Sequence, residues 1–350
     1  MADADQAGSA AKVLMDPPRT FRRVPLKPHQ LLDPITAQRD LFVLAHVGVP
    51  RVDAASAAAW TLTIDGLVRG PRTLTLDNIR RLPKIEVESF HQCAGYPANP
   101  AIATRRVGNV VWGGADLNAL LDTLGVSPRA RFLWSYGLDR GEYEGIRADP
   151  YLKDCPLDRV RQGGVLLAYE INGEPLDAEH GFPLRLMVPG FYGTNSVKWL
   201  SRLHLAETRA DSPFTTQLYN DPIDGGTRPV WQVAPESVIV SPAPEARLGF
   251  EPVDIWGWAW ADGGVARVEV STDNGATWRE AALAPQRGWA WQKFRIVWKP
   301  ERDGKVIMMS RATSTRGEVQ PTADWRNCLY AVPVTVAAAR DARAKNAEDV

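Results

Sequence analysis

Cysteine is scarce in this chain: three residues, Cys93, Cys155 and Cys328, in a length of 350. No Cys-x-x-Cys and no Cys-x-x-Cys-His occurs, which argues against a disulfide framework, a zinc ribbon and covalently attached haem. An excess of charge is missing too. Lys plus Arg number 41 and Asp plus Glu 41; a nucleic-acid partner would call for a basic face, so none is expected. No apolar run is long enough to span a bilayer. The opening MADADQAGSAAKV has neither the basic start nor the apolar core of a secretory signal. As written, the chain is expected in the cytoplasm, or in the periplasm if an export signal has been removed. GxGxxG and GxxxxGK(S/T) are absent as well, and with them the standard nucleotide signatures.

What remains is an ordinary globular composition, 45% apolar and 23% charged. The length exceeds one ordinary core, so two domains are expected. Residues 1–30, rich in Ala and Pro, are expected to form a loosely held arm. From Trp60, WTLTIDGLV alternates apolar and polar positions; GPRTLTLDNIRRLP then gives a turn, a short strand and a helix starting at Leu76 or Asp77. IEVESFHQC predicts a strand that ends on Cys93, and in VWGGADLNALLDTLGV an amphipathic helix follows the glycine pair, with Gly125 as its stop. RFLWSYGLD and GVLLAYEING predict further strands, the second closing in an Asn-Gly turn. Strands and helices mix without a βαβ rhythm, which predicts an α+β domain over 31–230.

Between about residues 210 and 245 the prolines and turn residues of DSPFTTQLYNDPIDGGTRPVWQVAPESVIVSPAPEA suggest a linker or domain-crossing loop. Beyond it helix signals vanish. VDIWGWAWADGG, VARVEVSTDNGATWREA, WAWQKFRIVWKP and KVIMMSRATSTRGEVQP predict short strands at sandwich spacing, an all-β domain over 235–337 whose tryptophans serve core and interface. Residues 338–350 are expected as a charged, frayed tail.

Two stretches carry chemistry. In SFHQCAGYPANP, residues 89–100, a thiol stands at the end of a strand and enters a Gly/Pro loop, where it faces a cavity more readily than a core. The plain alternative is a buried cysteine acting as a small hydrophobe. In HGFPLRLMVPGFYGTNSVKWL, residues 180–200, His180, Arg185 and Lys198 place three cationic or hydrogen-bonding groups around a turn, as binding a phosphate and a polar heterocycle requires. The alternative there is that Arg185 and Lys198 pair with nearby acids and His180 caps a strand.

Together, Gln-Cys-Ala-Gly at the strand end, the GLD turn, HGFPLRLMVPG with its following SVKWL, and the tryptophan-rich β domain occur in the order of the sulfite oxidase family of molybdenum enzymes, which this chain resembles from about His46 to Trp325. The resemblance implies an α+β molybdenum-cofactor domain followed by an immunoglobulin-like domain that makes a homodimer. It implies that Cys93 is the thiolate ligand of molybdenum, a soft donor suited to a metal already held by the pterin's sulfurs. It places Phe42 to His46 at the pterin, gives Asp139 to the pterin ring, and gives His180, Arg185, Ser196, Val197 and Lys198 to the pterin and its phosphate. Tyr219, in QLYND, falls where the family has an active-site tyrosine.

The chain also departs from the family. After Cys-Ala-Gly it continues Tyr96-Pro97-Ala98 where an arginine that holds the anionic substrate is usual, and Leu44 stands where a second pocket arginine is expected. Arg105 and Arg106, in a lengthened loop, are expected to compensate, because a buried oxyanion demands paired cations. The implied activity is oxygen-atom and two-electron transfer between molybdenum and a small sulfur-containing substrate, sulfite oxidised to sulfate first. Reduction of a sulfoxide or similar oxide is the second reading, and a non-catalytic cofactor-storage protein a third. With no haem motif, electrons would pass to a separate acceptor or to dioxygen.

Overall fold

The computed structural model describes residues 15–16, 19–95 and 97–337. Residues 1–14 and 17–18 of the expected arm, Tyr96 and the expected tail 338–350 lie outside the described residues. The described part of the arm is not loose. Arg19–Arg23 pairs with Val43–Ala45, and a 3-10 turn at Pro28–Gln30 leads into Leu31, which is buried against the β domain.

Two five-stranded sheets carry most of the first domain. One runs in the order Leu152–Pro156, Phe132–Tyr136, Arg202–Ala206, Thr61–Gly66, Arg72–Thr75, with a single parallel pairing between Arg202–Ala206 and Thr61–Gly66. The other runs Glu174–Pro175, Leu166–Ile171, Val107–Asp116, Lys84–Gln92, with Arg185–Met187 added to Leu166–Ile171. The Asn-Gly turn forms as the sequence suggests: Asn172 and Gly173 take φ of 54° and 80°, the two left-handed positions of a tight hairpin. The helix after the glycine pair does form, but it covers only Leu117–Asp122, capped by Asp116. Gly113 and Gly114 belong to the preceding strand, where a Cβ on Gly114 would run into the carbonyl of Leu167. Helices among the described residues are few and short, so the domain is richer in strand than the α+β expectation implied. None is long and apolar enough to cross a membrane.

The second domain also has two sheets: Glu236–Ser241, Val253–Trp260, Gln292–Trp298, Ala282–Leu283, and Arg247–Leu248, Val332–Val336, Gly304–Ser314, Val265–Ser271, Arg279–Glu280. Alternate side chains of both, Ile255 and Phe294 from one and Val268, Met308 and Val332 from the other, meet in one apolar core.

The stretch expected as a linker or domain-crossing loop carries structure of its own and ends in the second domain's strand Glu236–Ser241. Pro213–Thr216 forms a helical turn that buries Phe214 completely, and Asn220–Ile223 folds back on Gly226–Pro229 as a hairpin. Of the tryptophans expected to serve core and interface, three make their hydrogen bonds within the chain. Trp258 Nε1 donates to Leu31 O (2.8 Å), Trp291 Nε1 to Pro34 O (2.9 Å) and Trp260 Nε1 to Gln92 Oε1 (2.7 Å). Each indole is nearly buried, so its ring is covered on the apolar side and its N–H is satisfied across the seam between domains. One of those partners, Gln92, directly precedes Cys93.

Candidate active site

Strand Lys84–Gln92 lies antiparallel to Val107–Asp116, with Gln92 opposite Val107, and the pairing continues one step as Cys93 N donates to Arg106 O at 3.0 Å. Cys93 and Arg106 therefore stand side by side at the base of the 94–105 loop. Cys93 is buried, and Gly95 N donates to its Sγ at 3.4 Å. Burial pushes its thiol pKa up, against the Gly95 N–H and the Arg106 charge.

The thiol opens on a cleft in the first domain. Its wall brings together Phe42, His46, Cys93, Asp139, His180, Arg185, Ser196, Val197, Lys198 and Tyr219, every residue named from the sequence except Arg105 and Arg106. The inner half is cationic and buried. Arg185 donates to His180 O (2.9 Å) and Ser196 O (3.0 Å), and its guanidinium lies over the Trp112 ring at 4.7 Å. Lys198 Nζ donates to Leu44 O (3.0 Å) and Glu179 O (2.9 Å). These hydrogen bonds go to backbone carbonyls, while the charges of Asp177, acting on both, and Asp139, acting on Lys198, favour the cationic forms. Burial lowers Arg185 to about 9, and burial together with the Arg185 charge lowers Lys198 to about 7. Asp139 is raised by burial to about 7 against the pull of Lys198. His180 Nδ1 is 2.9 Å from Asp177, which fixes the ring with Nε2 toward Phe42 O at 3.4 Å. The Ser196 hydroxyl accepts from Val188 N at 3.1 Å.

An outer cavity of about 560 Å³ shares Leu44, His46, Cys93 and Tyr219 with the cleft and adds Arg106 and Tyr143. The Tyr219 hydroxyl and His46 Nε2 share a hydrogen bond of 2.7 Å. Burial, then the charges of Lys198 and Arg106, lowers His46 to about 4, so its imidazole is neutral near pH 7. Arg106 lines this cavity and also donates to Gly95 O.

Arg105 does not reach the site. Its side chain is fully buried on the opposite side, with Nε 3.7 Å from Glu236 Oε1 and the guanidinium 4.9 Å from the Tyr330 ring. The expectation that both arginines line the pocket is corrected to Arg106 alone, because in extended chain successive side chains face opposite ways.

Sequence reasoning missed several wall residues. His91 lies in the inner cleft, stacked on Phe42 with centroids 5.7 Å apart. Its alternation with Cys93 along one strand was the available signal. Tyr151 joins the same wall, its hydroxyl donating to Thr194 O at 2.9 Å. Arg326, from the second domain, pairs with Asp221, and its charge acts on Cys93 to favour the thiolate. Nothing in DWRNC announces that role.

Residues 46–214 match the family model for an oxidoreductase molybdopterin binding domain, and residues 227–333 that for a Mo-co oxidoreductase dimerisation domain. The chain is 32% identical to the sulfite oxidase of Gallus gallus over 322 residues, covering 82% of this chain and 68% of that one. It is 32% identical to the sulfite oxidase of Arabidopsis thaliana over 324 residues, 81% of each. Among solved structures, the sulfane dehydrogenase SoxCD of Paracoccus pantotrophus superposes with a TM-score of 0.75 at 30% identity, over 87% of this chain and 82% of that one. A cysteine at the floor of a buried cationic cleft, on this fold and with these relatives, leads to one conclusion: the chain belongs to the sulfite oxidase family of molybdopterin-dependent oxidoreductases.

Proposed function

We propose that this enzyme oxidises a small sulfur oxyanion, sulfite first, at a molybdenum held by Cys93 and a pterin dithiolene. The observation that carries the reading is the position of Cys93 between two chemically different spaces, a cleft lined by buried cations and an outer cavity bearing Arg106. The cleft fits the pterin and its phosphate. Among the described residues Asp139 Oδ1, Arg185 Nε and His91 Nδ1 are buried there without a hydrogen-bond partner, donors and an acceptor that a polar heterocycle with a phosphate arm would satisfy. Arg185, Lys198, His180 and Ser196 would hold the phosphate arm, and Asp139 the ring. Among the described residues no three of His, Cys, Asp and Glu converge as a metal cage, so Cys93 is a lone donor, suited to a metal that brings sulfur ligands of its own. When bound, the cofactor supplies two-electron oxygen-atom transfer.

The residues of this chain then do the positioning. Arg106 lines the outer cavity, which also holds Glu144, and its charge together with that of Arg326 acts at Cys93, where an anion would be drawn. Tyr219, whose pKa is raised by burial, keeps its proton and is held by neutral His46 as a hydroxyl that can bond a substrate oxygen. In this reading residues 31–230 form the catalytic domain, and 235–337 form an immunoglobulin-like domain that mediates a homodimer. Electrons leave to a separate acceptor or to dioxygen.

The test is steady-state turnover of molybdenum-loaded protein with sulfite and with a panel of sulfoxides, using artificial electron acceptors and donors. Sulfite turnover with saturation is the expected result. Turnover of sulfoxides alone would reverse the direction of transfer, and no turnover of either by fully loaded protein would leave a storage protein.

A further inference from the structure

The loop that separates Cys93 from Arg106 is held from outside the catalytic sheets. Beyond Cys93 the chain leaves its strand and lies along the second domain before returning. There Ala98 O accepts from Asp324 N (2.8 Å), Pro100 O from Ala331 N (3.1 Å) and Pro97 O from Cys328 Sγ (3.4 Å), while Ala103 packs on the second domain's core. Arg105 closes the excursion. Its guanidinium donates to Ile102 O (2.5 Å) and Thr104 O (3.1 Å), stands 3.7 Å from Glu236 and covers the Tyr330 ring. Gln320 Nε2 in turn donates to Glu236 Oε1 at 3.3 Å. Arg105 and Glu236 are both 0% exposed.

A fully buried arginine–glutamate pair is a poor source of stability, because desolvating two charges offsets their attraction and apolar side chains of similar size often do as well. Direction is what such a pair adds. A planar, forked guanidinium seated between a carboxylate, two carbonyls and a ring has one orientation, which a flexible cation lacks. Because Arg106 follows immediately, fixing Arg105 toward the second domain turns Arg106 toward the outer cavity.

We infer that the Arg105–Glu236 pair is a positioning device through which the second domain aims Arg106 at the anionic substrate. The inference rests on Arg106 being the substrate's cation, as proposed above. Arg105 and Glu236 touch neither substrate nor cofactor; they act through Arg106.

The test uses the molybdenum-loaded full chain and sulfite, with three variants: Arg106→Ala, Arg105→Lys, and Arg105→Met combined with Glu236→Leu, which fills the buried space with apolar groups. Arg106→Ala is expected to raise KM by about tenfold or more, and the other two by about three- to tenfold, with kcat within about twofold and molybdenum content unchanged. Adding Arg106→Ala to the double variant should raise KM no further than Arg106→Ala alone, the non-additivity of residues that act through one another. A purely structural pair would change the melting temperature and leave KM alone. A wild-type KM in either Arg105 variant, beside a raised one in Arg106→Ala, overturns the inference; an unchanged KM in Arg106→Ala overturns the reading of Arg106 instead. Should the double variant fail to fold, Arg105→Lys decides.

Discussion

The Tyr219 hydroxyl stands 2.7 Å from His46 Nε2, with the two rings edge to face at 5.9 Å, and Tyr219 holds this position in a left-handed backbone conformation at φ 56°. Such a backbone costs on the order of 1 kcal/mol for a residue with a side chain and persists only where its surroundings insist on it. Here they do: Phe214 stacks on the Tyr219 ring at 6.3 Å, and Lys153, anchored to Phe214 O at 2.7 Å, sits 5.5 Å from its centroid. Tyr219→Phe keeps the ring and removes the hydroxyl. Steady-state kinetics should show kcat/KM lower by about ten- to a hundredfold, with a melting temperature within a few degrees of the parent. Unchanged kinetics would confine the hydroxyl to structure.

His46 sets a pH dependence of stability with a definite sign. Its folded pKa, lowered by burial to about 4, lies below the ordinary histidine value of 6.5. Between those values the unfolded chain binds the extra proton, so stability should rise with pH across that window and be lost as pH falls through it. Melting curves from pH 4 to 7 should flatten in His46→Gln relative to the parent; an identical slope would assign the effect to other groups.

Cys93→Ser should abolish turnover and leave the pterin bound, since Arg185, Lys198 and His180 hold the cofactor's other end in the proposed site. A hard oxygen or a water would replace the soft thiolate and shift the metal's redox balance. Molybdenum, pterin, melting temperature and turnover are to be measured on one preparation. Full turnover per bound molybdenum would end the ligand assignment.

Arg326 gives a prediction for the second domain. Arg326→Lys keeps the charge and loses the guanidinium contact with Asp221, while Arg326→Gln loses both. The KM for sulfite should rise in the order parent, lysine, glutamine, reaching about tenfold in the last, and the rise should shrink at high salt. Equal KM values would remove Arg326 from the field at the site.

Sedimentation at micromolar concentration should give a dimer. Because Trp258, Trp260 and Trp291 are used up at the seam, Trp260→Phe should destabilise the fold by about 1–3 kcal/mol, through the stranded Gln92 oxygen, and leave the dimer intact. A monomer in the parent protein would remove the homodimer from the proposal.

The sequence told most where one residue's chemistry dictates one geometry. Asn172-Gly173 can be read as a turn because both positions need positive φ, and the HGFPLRLMVPG segment because its cations are spaced around a glycine-bearing bend. Arg105 and Arg106 are indistinguishable in the sequence, because which of two adjacent side chains faces a cavity depends on distant partners, here the strand end at Cys93 and the buried Glu236. The tryptophans declared burial without saying against what, and Arg326, more than two hundred residues beyond Cys93, came within its reach only through packing of the domains. In 210–245 the turn residues mark loops without revealing that one of them carries Phe214 into a core.

The indoles of Trp258 and Trp291 lie 4.8 Å apart and within 9° of parallel, with Trp260 at 6.1 Å from the second. Identical chromophores this close share their excited states, so the sheet of the second domain carries its own optical label: a circular-dichroism couplet that lasts while Val253–Trp260 stays paired with Gln292–Trp298. The unfolding of that domain, whose Trp260 bonds the residue preceding the active-site thiol, can be followed by light alone, with no probe attached.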